Sequence, residues 1–400
     1  MAETLRPETT AQVVEAIAWA SGEEIPVEII GTGTKRGFGR PMGDGNRKIR
    51  NVVELSGLRG ITLYEPEELI LSAWAGTPMA EIEAAVAEKG QMLAFEPPAF
   101  ALLYGQTGGT LGGLIGCNLA GPRRVKIGAA RDHILGIEAI TGRGELIKSG
   151  GRVVKNVTGY DLSKLLTGSF GTLAALTQVT IKVLPAPEMV ETVLVSGLGG
   201  ADAVRAMTAA LNSSHEVSGA AYVPAGLAQA VSGVSDDAAA ARVEGFSPSV
   251  EARSTALQEL LSDFGPVTTL DADASGALWR DVRDAAPFVG SDAPLWRVSV
   301  TPTAAAGIAD AIANGIGGPS LIDWGGGLMW FEAQDAAAVR AVIAEFGGGH
   351  ATLVRAPEET RQTMPVFQPQ PAPLAALSAR VKESFDPRHI LNPGRMYEGV

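Results

Sequence analysis

Between residues 105 and 121 the chain reads GQTGGTLGGLIGCNLAG, with glycines at 105, 108, 109, 112, 113, 116 and 121. So few side chains let a second backbone or a ligand come close. Backbone N–H groups freed in such a loop converge on an anion, and Gln106, Thr107 and Thr110 add hydrogen-bonding groups for a phosphate or a ring edge. The spacing of Gly108, Gly112 and Gly116 fits equally well a smooth helix face made for packing. A second loop, GTGTKRGFGRP at residues 31 to 41, follows the strand-like IPVEII. It is not a Rossmann fingerprint. Arg36 stands where the third glycine belongs, and Gly37, Gly39, Pro41, Gly43 and Gly45 prevent a helix from opening there. Consecutive N–H groups with Thr32, Thr34 and Lys35 can still hold phosphate.

Charge supports an anionic ligand close to these loops. The chain as a whole carries a formal charge of -12, which argues against nucleic-acid binding. Residues 122 to 164 reverse that sign: nine basic residues (Arg123, Arg124, Lys126, Arg131, Arg143, Lys148, Arg152, Lys155, Lys164) face four acids, a local +5. Such a segment suits an anionic cofactor, an acid substrate, or simply a solvated basic face. The four histidines, at 133, 215, 350 and 389, have no metal-ligand spacing, so no metal site is expected. The single cysteine, Cys117, excludes an internal disulfide and any iron–sulfur cluster held by this chain alone; its small apolar neighbours read as those of a buried structural thiol.

The elements that must position these loops are legible in outline. Four hundred residues, 46% hydrophobic, predict two domains rather than one. No apolar run is long enough to span a bilayer and MAETLRPETT does not read as a signal peptide, so a soluble, cytoplasmic protein is expected. The periodicity predicts a helix over 7–20, strands at IPVEII, NVVEL and LILSAWAG, and a helix capped by Thr77 and Pro78 with Met79, Ile82 and Val86 inside. A hairpin of HILGIEAIT and GELIKSG and an alternating strand TQVTIKVLP complete an N-terminal unit of residues 1–185, divided near residue 95. Beyond Pro185 two split β-α-β units predict one antiparallel sheet with helices on one face, residues 186–373. In its second helix Leu257, Leu260, Leu261 and Phe264 read as the buried stripe. Residues 356 to 373, with five prolines, read as a connector, and 374–400 as a helix followed by DPRHILNPGRM.

The two glycine-rich loops, the segment SGGRVVKNVTGYDLSKLLTGSFGTLAALTQVTIKV at 149 to 183, and DPRHILNPGRM together resemble the vanillyl-alcohol-oxidase type of FAD flavoproteins, over nearly the whole chain. That resemblance implies an α+β fold: a two-part FAD-binding domain, a cap domain over the flavin, and a C-terminal segment returning to the first domain. It implies that Thr32, Gly33, Thr34, Lys35 and Gly37 cradle the FAD pyrophosphate. Gln106, Thr107, Gly108, Gly109, Thr110, Gly112 and Gly113 would lie along its other side, with Asn118 nearby. Gly171, Thr172 and Leu176 match a cofactor-lining turn and strand, Arg131 with Asp132 a pair close to the cofactor, and Asn392 a position near the flavin ring. Residues 31 to 48 hold no histidine, cysteine or tyrosine, so FAD bound without a covalent link is expected.

The same resemblance implies an FAD-dependent oxidoreductase acting on CH–OH donors. It would be one flavin subunit of a multi-subunit glycolate (2-hydroxy acid) oxidase or dehydrogenase. Hydride would go to flavin N5, and electrons would pass to an iron–sulfur subunit and a membrane quinone or similar acceptor; a second flavin subunit would do the substrate chemistry, with any membrane contact peripheral and through those partners. The chain departs from stand-alone hydroxy-acid dehydrogenases in lacking a histidine cluster in the cap, where DWGGGLMWF stands at 323 to 331. Trp324 and Trp330 can cover a flavin or an interface but cannot abstract a proton. Catalytic candidates are Lys155, Tyr160 and Asn392, with His389 a further residue close to Asn392. A free-standing dehydrogenase of another small substrate and a structural subunit with a vestigial flavin site stay open as alternatives.

Overall fold

The computed structural model describes residues 3–42, 49–151 and 159–400. It opens with β1 (Glu3–Leu5), the helix Thr10–Gly22, β2 (Val27–Ile30) and β3 (Asn51–Glu54); the strands form a small parallel sheet in the order β1-β3-β2. Thr9 caps the helix, its hydroxyl accepting from the Gln12 N–H at 3.3 Å. Val13, Ile17 and Ala20 recur along one face and bury it in a cluster with Val27 and Val53.

A five-stranded antiparallel sheet follows, built from β4 (Ile61–Glu65), β5 (Ile70–Trp74), β7 (Ile134–Thr141), β8 (Leu146–Gly150) and β9 (Ala174–Lys182) in the order β4-β5-β9-β7-β8. Two short strands, β6 (Gln91–Met92) and β10 (Leu184–Pro185), pair beside it. The stretch ITLYE, between the expected strands NVVEL and LILSAWAG, is β4. With β5 it pairs into this second sheet, so the chain passes from one sheet to the other between Glu54 and Ile61. Thr77 does not cap the helix Met79–Ala87: its Oγ accepts from the Gly60 N–H at 2.9 Å, and Pro78 opens the helix. Val179, Ile181 and Val183 are buried, as their alternation predicts.

The remaining strands are β11 (Met189–Ser196), β12 (Gly219–Val223), β13 (Ala238–Gly245), β14 (Val267–Leu270), β15 (Leu295–Val300), β16 (Leu321–Asp323), β17 (Leu328–Glu332) and β18 (Gly349–Arg355). They form one eight-stranded antiparallel sheet in the order β14-β11-β13-β12-β16-β17-β15-β18, two mirrored β-α-β-β-α-β units joined at β12 and β16. Period-2 alternation decides which face meets what. Val193, Val195, Tyr222, Met329 and Phe331 point to the helices Gly200–Leu211, Ser247–Leu261, Ala305–Gly315 and Ala336–Glu345. Their neighbours Leu194, Val223, Leu328 and Trp330 point the other way, into the core shared with the N-terminal unit. The stripe on Ser247–Leu261 is Val250, Ser254, Leu257 and Leu261; Leu260 is exposed, one position off the buried face. A helix not foreseen, Ala272–Arg283, puts Leu278, Trp279 and Val282 into the shared core.

Charged residues close the joint between cap and N-terminal unit. Arg242 on β13 donates to Glu96 at 2.8 and 3.1 Å, and Arg123 donates to Glu244 on β13 at 2.6 and 2.8 Å. Both carboxyls sit below their usual range, because the two guanidinium groups outweigh burial. Asp323 lacks such help. It is buried, its carboxylate accepts from the Trp324 N–H at 2.6 Å, and burial pushes its carboxyl up to about 7 against that hydrogen bond. The folded chain therefore holds a proton that an unfolded aspartate loses near 3.8. This contribution to stability is fully present below the unfolded value and is lost as pH rises through about 7. The melting temperature of Asp323→Asn should gain on that of wild type as pH rises from about 4 to about 8; a difference independent of pH in thermal denaturation would contradict this.

Candidate functional site

The two glycine-rich loops meet. Strand β2 runs into Gly31–Lys35, and the second loop is zipped alongside by hydrogen bonds from the Met79 N–H to the Gly109 carbonyl and from the Leu111 N–H to the Thr77 carbonyl, both 3.0 Å. Thr110 caps the short helix Leu111–Gly116, its Oγ accepting from the Gly113 N–H at 3.3 Å. A Cβ on Gly31 would lie 2.2 Å from that Oγ, so only glycine lets the first loop lie on the second. The helix-face reading of the glycine spacing holds at Gly112. Gly112 packs its bare backbone on Ala75, where a Cβ would stand 2.8 Å from the alanine methyl, while Gly113 and Gly116 line open space.

That space is a cleft of roughly 840 Å³, partly open to solvent, between the loops, the turn at Ser169–Gly171 and the C-terminal segment. Of the residues singled out in the sequence, Thr32, Gly33, Thr34, Lys35, Thr110, Gly112, Gly113, Gly171, Leu176 and Asn392 line it. Others do not. Gly37 is glycine because the Tyr104 ring stands 2.5 Å from where its Cβ would be. Gln106, Thr107 and Gly108 are exposed beyond the cleft, and Gly109 borders it through Lys35 and Thr34. Asn118 and Arg131 hold a turn, the Arg131 N–H donating to Asn118 Oδ1 at 3.1 Å with the arginine side chain in solvent. Thr172 is buried and donates to the Ser169 carbonyl at 2.8 Å.

Lys35 is the group in the cleft with chemistry to offer. Its Nζ lies 3.2 Å from the position of a Cβ on Gly109 and 3.7 Å from one on Gly113, so the ammonium reaches from the first loop to the second. Among the described residues it has no hydrogen bond and no ion pair. Burial lowers its pKa, and the Cys117 thiol only partly offsets this. A desolvated cation without a partner, in a cradle of glycine backbone, matches a diphosphate in charge and shape. Burial in turn raises the Cys117 thiol, so it stands as neutral SH.

The C-terminal segment forms the far wall. The Val27 N–H donates to the Ile390 carbonyl at 2.8 Å and the Asn392 N–H to the Val27 carbonyl at 3.1 Å, extending the first sheet. Asn392 accepts from the Ile29 N–H at 2.7 Å and donates to the Phe170 carbonyl at 2.7 Å and the Ile29 carbonyl at 3.3 Å. Both its donors are engaged, so it is a clamp between β2 and the Gly171 turn rather than a catalytic group. Arg395, missed in the sequence although it lies within NPGRM, donates to the carbonyls of Lys35, Arg36, Phe38 and Arg40 and fixes the shape of the first loop. The remaining catalytic candidates fare differently: Tyr160 is 91% exposed and away from the cleft, and Lys155 lies outside the described residues. His389 pairs with Glu383 at 3.1 Å on the surface. Trp324 and Trp330 are buried between cap and N-terminal unit.

Comparison with known proteins agrees with this geometry. The family described as FAD binding domain matches residues 2–150. Glycolate oxidase subunit GlcE of Escherichia coli strain K12 is 35% identical over 388 residues, 96% of either chain. The chain belongs to the vanillyl-alcohol-oxidase family of FAD flavoproteins. As a member of that family it is an FAD-dependent oxidoreductase with an α+β fold. Within this flavoprotein family, glycolate oxidase subunit GlcD of Bacillus subtilis strain 168 is 29% identical over 190 residues, 48% of this chain and 38% of that one. Among solved structures, p-cresol methylhydroxylase superposes with a TM-score of 0.72 at 15% identity, over 98% of this chain and 88% of that one, a likeness of fold. Among the described residues no helix is long and apolar enough to cross a membrane.

Proposed function

We propose that this flavoprotein is an FAD-binding subunit of a multi-subunit oxidase or dehydrogenase of glycolate or a similar 2-hydroxy acid. The observation that carries the reading is the end-to-end correspondence with a protein called a glycolate oxidase subunit, cap domain included. In this reading Gly31–Lys35 and Thr110–Gly113 would hold the diphosphate of FAD, with Lys35 offsetting one of its two negative charges and Arg395 and Asn392 holding the walls. FAD, when bound, would take up electrons released by oxidation of the acid and pass them on. The protein's own part is to bind, orient and shield. The absence of histidine, cysteine and tyrosine from the first loop and the raised pKa of Cys117 support FAD held without a covalent link. Electrons would leave through an iron–sulfur partner, since one cysteine cannot hold a cluster, and the sibling flavin subunit would carry out the oxidation of the acid.

Purification with and without the partner subunits tests the reading. We expect yellow protein that co-purifies with a second flavin subunit and an iron–sulfur subunit, and whose flavin glycolate bleaches in the assembled complex. Colourless protein, or a chain that never associates, would overturn it. Bleaching by glycolate in the isolated chain would instead assign the chemistry to this subunit.

A further inference from the structure

A second set of unmatched charge lies where the cap meets the N-terminal unit. The guanidinium of Arg297, on β15, stacks over Trp324 at 5.1 Å and Trp330 at 5.8 Å; that of Arg124, from the basic segment after the second loop, covers Trp324 at 4.2 Å. Trp324 itself is fixed, its indole N–H donating to the Gly121 carbonyl at 3.1 Å. A guanidinium held beside aromatic rings still has five N–H donors to offer.

Other arginines at this joint have those donors engaged. Arg123, Arg242 and Arg283 donate to carboxylates, and Arg355 to Glu332 and to backbone carbonyls. Arg297 and Arg124 have no hydrogen bond and no ion pair among the described residues. Burial, and then Arg124, lower Arg297 to about 10, so it remains a cation at neutral pH. The acid that acts on it, Asp323, forms no ion pair with it and has its carboxyl pushed up to about 7, chiefly by burial. Half-buried and without a partner among the described residues, that fork is open to an anion.

We propose that Arg297 and Arg124, both held against Trp324, form a recess for a small carboxylate, which Arg297 grips through its in-plane donors. That the carboxylate is a 2-hydroxy acid or 2-oxo acid exchanged with the sibling subunit rests on the function proposed above; the recess itself does not. The group matches a carboxylate better than a halide, because the planar fork pairs with two oxygens at once.

Oxalate, glycolate and the neutral isostere glycolamide, titrated into the FAD-loaded chain and followed by tryptophan fluorescence and calorimetry, test this. Oxalate should bind saturably and perturb the Trp324 signal, and glycolamide should not bind. Arg297→Leu should weaken oxalate at least about tenfold, the order expected for losing charge-assisted hydrogen bonds, with FAD content unchanged. Arg297→Lys should recover part of the loss. Arg124→Gln, at the exposed rim, should weaken oxalate less and serves if the buried variant does not fold. Wild-type protein that ignores oxalate, variants that bind it as wild type does, or glycolamide binding as well as glycolate would each overturn the recess. Oxalate binding lost in Arg297→Leu, together with flavin that no 2-hydroxy acid reduces even in the complex, would uphold the recess and reject the substrate class.

Discussion

Exchanging Lys35 for methionine should give a folded protein whose affinity for FAD falls by about tenfold to a hundredfold. Methionine has nearly the length of the lysine stem and no charge, so the loop can keep its path while the cradle loses its cation. Charge-assisted hydrogen bonds are worth roughly 1.5–3 kcal/mol each, which gives that range. The sign of the effect on the free protein distinguishes this from simple damage. Burial disfavours the Lys35 ammonium in the folded chain, and the described residues offer it no partner. Removing it should leave the FAD-free protein as stable as wild type or more so, while the added stability that FAD confers shrinks. Melting curves with and without FAD, alongside a flavin titration, check both signs. A variant that is equally destabilised with and without FAD would mean that Lys35 serves the fold, and unchanged flavin affinity would mean that the diphosphate does not reach it.

The second large effect is expected at Lys382→Met, far from any ligand. Lys382 and Asp386 face each other one helical turn apart at 2.7 Å, both at 0% exposure. The ammonium also donates to the carbonyls of Thr172 and Leu391, at 2.7 and 2.8 Å, and Asp386 accepts from the Ile390 and Leu391 N–H groups. This pair joins the returning tail to the turn beside Gly171, and so holds Asn392 in place. Methionine would leave Asp386 charged and unpaired in the core, a loss of about 3–5 kcal/mol. Urea unfolding should show that loss, and a paired Lys382→Met, Asp386→Leu variant should recover much of it. The same loss in the double variant as in the single one would contradict the pair.

The sequence disclosed which backbone segments come close better than it disclosed what each side chain does. The two loops were legible because glycine runs leave bare backbone that something must approach, and the mirrored cap units because their alternation is strict. Gly37 looked like a cradle residue since nothing local reveals that Tyr104, far along the chain, presses on it. Asn392 looked catalytic because its motif was clear while its partners, Ile29 and Phe170, are remote in sequence. Leu260 and the strand ITLYE were misjudged by one position and by one turn signal, errors that only tertiary packing resolves. Arg297 carried no local signal, because an arginine on a strand reads as solvent-facing until it is seen beside two tryptophans.

The structure of the FAD-loaded chain tests the central claim most directly. The account predicts the diphosphate between Gly31–Lys35 and Thr110–Gly113, with a phosphate oxygen within hydrogen-bond distance of Lys35 Nζ and Asn392 still bound to Ile29 and Phe170. A dinucleotide seated elsewhere, with this cleft holding only water and Lys35 turned away, would contradict it.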